Sequence, residues 1–181
     1  MNKQEIDIMT NLESKIRNIP NFPKQGINFK DITPLLEDPK SFKYVCDLFH
    51  DIFKNHGVDK IVGIDARGFI FGSTLAYLLG VGFTPARKKG KLPFDTITEV
   101  FTCEYGTSEM EMHKDAIKPG ERVVIIDDLL ATGGTAMAAI NLVEKLGGVV
   151  VSCAFVIGLT DLPGFKMLDD KQISYITILN Y

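Results

Sequence analysis

The stretch Arg122-Val123-Val124-Ile125-Ile126-Asp127-Asp128-Leu129-Leu130-Ala131-Thr132-Gly133-Gly134-Thr135 decides the fold. From Arg122 to Asp127 it is a continuous apolar strand closed by two carboxylates, and a helical pattern runs from about Gly134 to Leu146. Two further segments repeat this character. Lys60 to Asp65 is a short apolar strand feeding a helix over Gly68 to Leu79, and Val149 to Val156 is a third strand. Strands that are continuously apolar, separated by helices, predict an α/β fold with a central, mostly parallel sheet flanked by helices. Residues 96–114 alternate instead (Thr98, Val100, Thr102, then Glu109, Met110, Glu111, Met112), which predicts an antiparallel excursion near the sheet edge.

Upstream, Ile8, Leu12, Ile16 and Ile19 fall at helical spacing, so residues 3–18 read as an amphipathic helix stopped by Pro20. From Pro20 to Pro34 the prolines and glycine read as a long ordered loop. Asp38-Pro39 has the form of a helix cap followed by proline at the first helical position, and Phe42, Val45, Phe49, Ile52 and Phe53 carry that helix to Gly57. No repeat, low-complexity run or linker divides the chain, so residues 1–181 are expected to form a single domain.

The composition narrows the class. Of 181 residues, 45% are hydrophobic and 24% charged, enough apolar material for a core and too much for a disordered chain. Twenty basic against 23 acidic residues leave a net charge of -3, so no overall footprint for nucleic acid is expected. The longest apolar stretch, Val149 to Leu159, is too short to span a bilayer, and Lys3, Glu5 and Asp7 leave no signal-peptide core. Cys46, Cys103 and Cys153 are odd in number and far apart, which argues against a disulfide framework or a metal knuckle. His50, His56 and His113 are scattered. A cytoplasmic protein is the expectation, with no membrane partner.

In parallel sheets ligands bind beyond the carboxyl ends of the strands, so the strand-to-helix turns carry the functional reading. At Thr132-Gly133-Gly134-Thr135 the glycines let backbone N–H groups converge at a helix N-terminus, a cradle for phosphate. No lysine precedes Thr135, so it is not a nucleoside-triphosphate loop. Alone, such a turn is an ordinary helix start; the whole run through Asp127 and Asp128 is far more specific. The two carboxylates suit hydroxyl donors or a divalent cation rather than a phosphate. The second turn, Gly63-Ile64-Asp65-Ala66-Arg67-Gly68, offers a cation and could hold another anion, or Arg67 could simply pair with a nearby carboxylate. Between them Arg87-Lys88-Lys89-Gly90-Lys91-Leu92-Pro93 reads either as a solvated loop or as a mobile hood over a polyanion. Together these features describe a sugar with phosphate at one end and diphosphate at the other.

With those residues in view, Val124 to Thr135 resembles the phosphoribosyl-diphosphate signature of the type I phosphoribosyltransferases. Phe22-Pro23, the run Gly26-Ile27-Asn28-Phe29-Lys30-Asp31-Ile32-Thr33-Pro34, Gly63 to Gly72, the Arg87–Pro93 loop and Glu104-Tyr105-Gly106 resemble, in order and spacing, the adenine phosphoribosyltransferase branch of that family. The resemblance implies a flexible hood over residues 87–106 and an N-terminal helix and base-recognition segment over residues 1–36. It implies Mg²⁺-dependent transfer of the 5-phosphoribosyl group from phosphoribosyl diphosphate to adenine, giving AMP and pyrophosphate. Ala131, Thr132, Gly133, Gly134 and Thr135 would hold the 5′-phosphate, with Asp127 and Asp128 on the ribose hydroxyls. Ala66 and Arg67, assisted by Lys88 and Lys91, would bind pyrophosphate. Arg87 would serve a neighbouring subunit, implying a homodimer. Phe29 would stack on adenine, Asn28 and Lys30 would read its edge, and Leu159 would close the other face. Glu104 would hold or remove a purine proton, beside Tyr105 on the hood. The resemblance implies no direct metal ligand, Mg²⁺ being held mainly by the diphosphate and ribose hydroxyls.

The chain departs from the family pattern at Val100-Phe101-Thr102-Cys103, where Ser-Tyr and then Leu are usual, at Gly158, where glutamate is often found, and at Phe165, where arginine is common. The competing readings are a transferase for a 6-oxopurine, against which the Phe29 segment argues, and a non-catalytic sensor of the diphosphate, against which the absence of an added basic surface argues.

Overall fold

The computed structural model describes residues 11–103 and 106–181. The chain forms two compact units, the first ending at Leu48 and the second running from Phe49 to Tyr181.

In the first unit, residues 11–14 are helical, and β1 (Arg17–Pro20) pairs antiparallel with β2 (Asn28–Asp31), Ile19 opposite Phe29. The expected helix over 3–18 therefore ends early among the described residues. Proline at 20 disfavours helical backbone at Ile19, and a strand partner is at hand. The expected loop from Pro20 to Pro34 likewise contains β2. Asn21 makes its turn, at φ 59°, with its Oδ1 accepting from the Gly26 N–H at 2.9 Å. A short helix, α1 (Thr33–Glu37), follows; Asp31 Oδ1 accepts from the Thr33 N–H at 2.9 Å and from its hydroxyl at 2.6 Å. Helix α2 (Pro39–Phe53) starts as the sequence predicts, Asp38 Oδ2 accepting from the Ser41 N–H at 2.9 Å.

The second unit is built on a seven-stranded sheet. In chain order its strands are β3 (Lys60–Ile64), β4 (Gly82–Lys88), β5 (Thr96–Cys103), β6 (Gly106–His113), β7 (Arg122–Leu130), β8 (Val149–Gly158) and β9 (Tyr175–Asn180), arranged β5-β6-β4-β3-β7-β8-β9. Strands β4, β3, β7, β8 and β9 run parallel, whereas β5 and β6 form an antiparallel hairpin joined to β4. Helix α3 (Gly68–Leu79) follows β3, α4 (Gly134–Lys145) follows β7, and α5 (Gly164–Asp170) lies between β8 and β9. Val123 to Ile126 are fully buried at the centre, as expected for a strand covered on both faces.

Two boundaries differ from the sequence reading. Strand β7 does not close at its carboxylates. It runs on to Leu130, because β8 continues beside it as far as the Leu130–Gly158 pair. On its other side the pairing with β3 stops at Gly63–Ile126, so Asp127 and Asp128 fall just past the last β3–β7 pair. Of the expected hood, Arg87 and Lys88 are the last residues of β4, and residues 96–103 are strand β5.

Chain progression reverses between β3 and β7. The unit β3–α3–β4 extends the sheet one way and β7–α4–β8 the other, which makes this the crevice where an open α/β sheet takes its ligand.

Candidate functional site

A cleft of about 440 Å³ opens at that reversal. It is lined by Asp65, Ala66 and Arg67 from the turn after β3, and by Ala86 and Lys88 from β4. Phe101 and Thr107 to Met110 come from the hairpin, and Asp127, Asp128 and Thr135 from β7 and the start of α4. Of the residues singled out from the sequence, Ala66, Arg67, Lys88, Asp127, Asp128 and Thr135 thus share one cavity.

Close backbone approach sets the geometry. A Cβ on Gly68 would clash with the Ile126 carbonyl and lie 3.2 Å from Asp127 Oδ1, so only glycine lets the start of α3 sit against β7. This brings Arg67 Nε to 3.0 Å from Asp128 Oδ2. Asp128 is buried, and its Oδ2 has no aligned hydrogen bond although the guanidinium stands beside it. Asp127 is enclosed by protein but keeps a face open to the cleft; its Oδ1 accepts from the Asp128 N–H at 2.8 Å. Burial, and next the charge of Asp128, push the Asp127 carboxyl well above the usual carboxylate range. Burial raises Asp128 as well, with Arg67 opposing. The pair is a set of acceptors poised for hydroxyl donors or cationic charge.

The phosphate-type turn is held from behind. Gly133, at φ 86°, caps α4 in the left-handed region. A Cβ there would meet Gly164 Cα at 2.9 Å and Met167 Sδ at 3.2 Å. The Gly164 N–H donates to the Ala131 carbonyl at 3.0 Å. Ala131, Thr132, Gly133 and Gly134 therefore form the turn leading to Thr135 while only Thr135 of the five lines the cleft itself.

Arg87 does not line the cleft. Its Nε donates to Asp65 Oδ2 at 3.0 Å, its Nη1 to the Lys91 carbonyl at 3.1 Å, and its guanidinium lies 5.8 Å from the Phe69 ring centre. Lys91 is exposed in the turn after β4. Leu159 follows β8, its N–H donating to the Leu130 carbonyl at 2.9 Å. Asn28, Phe29 and Lys30 form most of β2 in the first unit, where Phe29 packs edge-on against Phe22 at 5.3 Å. Glu104 and Tyr105 lie outside the described residues.

At the two departures behind the turn, a Cβ on Gly158 would clash with Phe165 Cζ and fall 2.7 Å from Asn180 Oδ1. The Phe165 ring in turn packs edge-on against Tyr175 at 5.4 Å. Asp65, Phe101 and Thr107 to Met110 were missed as cleft residues; the antiparallel alternation located the hairpin but not which of its residues turn inward.

Comparison with known proteins agrees with this architecture. The phosphoribosyl transferase domain family matches residues 31–177, and the chain belongs to the phosphoribosyltransferase family. Its relatives there include the adenine phosphoribosyltransferase of Desulfosudis oleivorans, 58% identical over 162 residues that cover 90% of this chain and 94% of the relative. The crystal structure of adenine phosphoribosyltransferase from Thermoanaerobacter pseudethanolicus superposes with a TM-score of 0.91 at 49% identity, covering 96% of this chain and 99% of that one. The Saccharomyces cerevisiae enzyme, solved with adenine and an imino-altritol bisphosphate, gives 0.88 at 39% identity over 96% of this chain and 99% of its own. Among the described residues no helix is long and apolar enough to cross a membrane.

Proposed function

We propose that this protein is an adenine phosphoribosyltransferase, converting adenine and phosphoribosyl diphosphate to AMP and pyrophosphate in purine salvage. The observation that carries the reading is a cleft lined together by Arg67, Lys88, Asp127, Asp128 and Thr135. It supplies cations for a diphosphate, acceptors for ribose hydroxyls and a helix start for a phosphate, and relatives of this similarity bear that activity in their names.

In this reading Thr135 and the turn Ala131 to Gly134 take the 5′-phosphate through backbone N–H groups and the Thr132 and Thr135 hydroxyls. Asp127 and Asp128 accept from the ribose hydroxyls. Ala66 and Arg67 hold the pyrophosphate, with Lys88 and Lys91 assisting and Arg87 serving a neighbouring subunit of a homodimer. As the bond to pyrophosphate breaks, negative charge gathers on the leaving group, and the Arg67 guanidinium is fixed beside it in advance by Asp128. Phe29 stacks on adenine, Asn28 and Lys30 read its edge, Leu159 covers its other face, and Glu104, with Tyr105 beside it, orients or removes the purine proton.

Mg²⁺ fits this donor set as a cation shared with the substrate. Among the described residues no cluster of three or more His, Cys, Asp or Glu side chains could cage a metal alone, whereas Asp127 and Asp128 line the cleft and would add carboxylate charge beside a cation held mainly by the diphosphate and ribose hydroxyls. When bound, the ion neutralises charge on the diphosphate. A cytoplasmic location accords with the buried thiols of Cys46 and Cys153, the latter pushed up to about 12 by burial.

The test offers adenine, hypoxanthine, guanine and xanthine separately with phosphoribosyl diphosphate and Mg²⁺. AMP and pyrophosphate from adenine alone are expected. Turnover of a 6-oxopurine instead, or binding of the diphosphate with no turnover of any base, would overturn the assignment.

A further inference from the structure

The hairpin that walls the cleft shares few register pairs with the rest of the sheet. Strand β5 is the edge strand, bonded only to β6, and β6 meets β4 over just two register pairs, Arg87–Glu111 and Lys88–Met110. The Lys89–Glu109 ion pair and a 2.9 Å bond from the Gly90 N–H to Glu111 lie beside them. The Lys89 N–H also donates to the Glu109 carbonyl, and Met110 and Met112 are buried in the core, so β6 is anchored; β5, at the edge, has a further contact of its own.

That contact is with α4, along which β5 packs. On β5, Glu99 and Phe101 share one face of the pleat. Glu99 is largely buried; Asn141 Nδ2 donates to its Oε1 at 2.7 Å, and Lys145 Nζ donates to its Oε2. Both bonds hold the carboxyl below its ordinary range. Three residues further on, the Thr102 carbonyl lies so close to Gly134 that any Cβ there would clash, and Phe101 Cδ2 would be 3.4 Å from it. The two contacts match in length: the three strand steps from 99 to 102 span about 10 Å and the seven helix steps from 134 to 141 about 10.5 Å. They are met together only in one register, and a slip by one pleat would carry Phe101 out of the cleft wall.

We propose that Glu99 is a positioning residue. It pins the hairpin on α4, the helix whose N-terminus forms the phosphate turn, and so sets the distance between that turn and the wall made by Phe101 and Thr107 to Met110. This role rests on the function proposed above. Removing the pin leaves β5 on the edge without its polar anchor to α4, while β6 keeps its bonds to β4 and its buried methionines, so the β5 side of the wall must be ordered anew each time the diphosphate binds.

Two variants test it: Glu99→Ala, and the charge-reversed double variant Glu99→Lys with Lys145→Glu. Amide hydrogen exchange of residues 96–102 and 107–110 is read alongside the affinity for phosphoribosyl diphosphate with Mg²⁺. Glu99→Ala is expected to exchange about tenfold faster over these strands and to bind the diphosphate roughly 3–10-fold more weakly. Its kcat at saturation should stay within about twofold of the unmodified protein, and the double variant should recover both losses. Unchanged exchange or unchanged affinity in Glu99→Ala overturns the proposal. So does equal loss in kcat, or a folded double variant that recovers neither. Failure of the unmodified protein to make AMP would count against the reaction alone, since exchange and diphosphate binding judge the pin without turnover.

Discussion

Arg67 Nε and Asp128 Oδ2 stand 3.0 Å apart, joining the turn after β3 to strand β7 across the point where the sheet reverses. The Arg67 side chain is 37% exposed while that of Asp128 is 3% exposed, so one partner is available to a ligand and the other is its support. Arg67→Met is expected to lower kcat/KM by roughly 10²–10³-fold, the usual loss when a fixed donor facing developing charge is removed. Steady-state kinetics with varied diphosphate checks this, and the KM for adenine should move little.

The two raised carboxyls make the free protein sensitive to pH. A carboxyl whose pKa is higher folded than unfolded keeps its proton in the fold after the unfolded chain has lost it. The unfolded state then binds fewer protons, and stability falls as pH rises from the ordinary value of 3.8 through the raised one. Asp127→Asn removes the larger of these burdens. In thermal melts its advantage over the unmodified protein should be greater at about pH 8 than at about pH 4, while its affinity for phosphoribosyl diphosphate falls about tenfold through the lost hydroxyl acceptor.

Gly164 supports the phosphate turn from outside every recognisable motif. A Cβ there would clash with the Ala131 carbonyl and lie 2.9 Å from Leu130 Cδ1. Gly164→Ala should lower stability by about 1–3 kcal/mol, as overpacking does. It should also raise the KM for the diphosphate more than the KM for adenine. Denaturant melts and paired KM values check the two parts.

Asp65 and Arg87 form a second link, 3.0 Å from Nε to Oδ2, with Lys91 held through its carbonyl. In a double-mutant cycle of Asp65→Asn and Arg87→Met the coupling energy should be about 1 kcal/mol. No coupling would mean that the turn after β4 is positioned without this pair.

The base and the diphosphate should separate under mutation. Phe29→Ala is expected to raise the KM for adenine and leave diphosphate binding intact. Glu104→Leu should lose most turnover, about 10²–10⁴-fold, again with the diphosphate bound normally. Calorimetric titration of the diphosphate into each variant distinguishes these outcomes.

Strands β3, β7 and β8 were readable because burial on both faces leaves unbroken apolar runs. Strand β4 was not, for it carries Pro85 and ends in Arg87-Lys88. The proline is tolerated because β6 joins β4 only from Arg87 onward, leaving that edge open at Pro85. The cation of Arg87 was visible in the sequence; its turn toward Asp65 depends on the register of β3 and β4, which places Ile64 opposite Ala86. Gly164 and Glu99 carried no local signal, since each acts through a partner more than thirty residues away. Strands β1 and β2 were not legible because four-residue strands are too short to establish a period.

Phe165 occupies the space into which any side chain at 158 would have to grow. The two positions cannot change independently: a larger residue at 158 is tolerated only once the ring at 165 is gone, and losing the ring first leaves a void against Tyr175. A longer side chain at 158 would have to displace the ring and also push Asn180 and Thr177 aside, so the size of residue 158 and the identity of residue 165 are fixed by one shared volume.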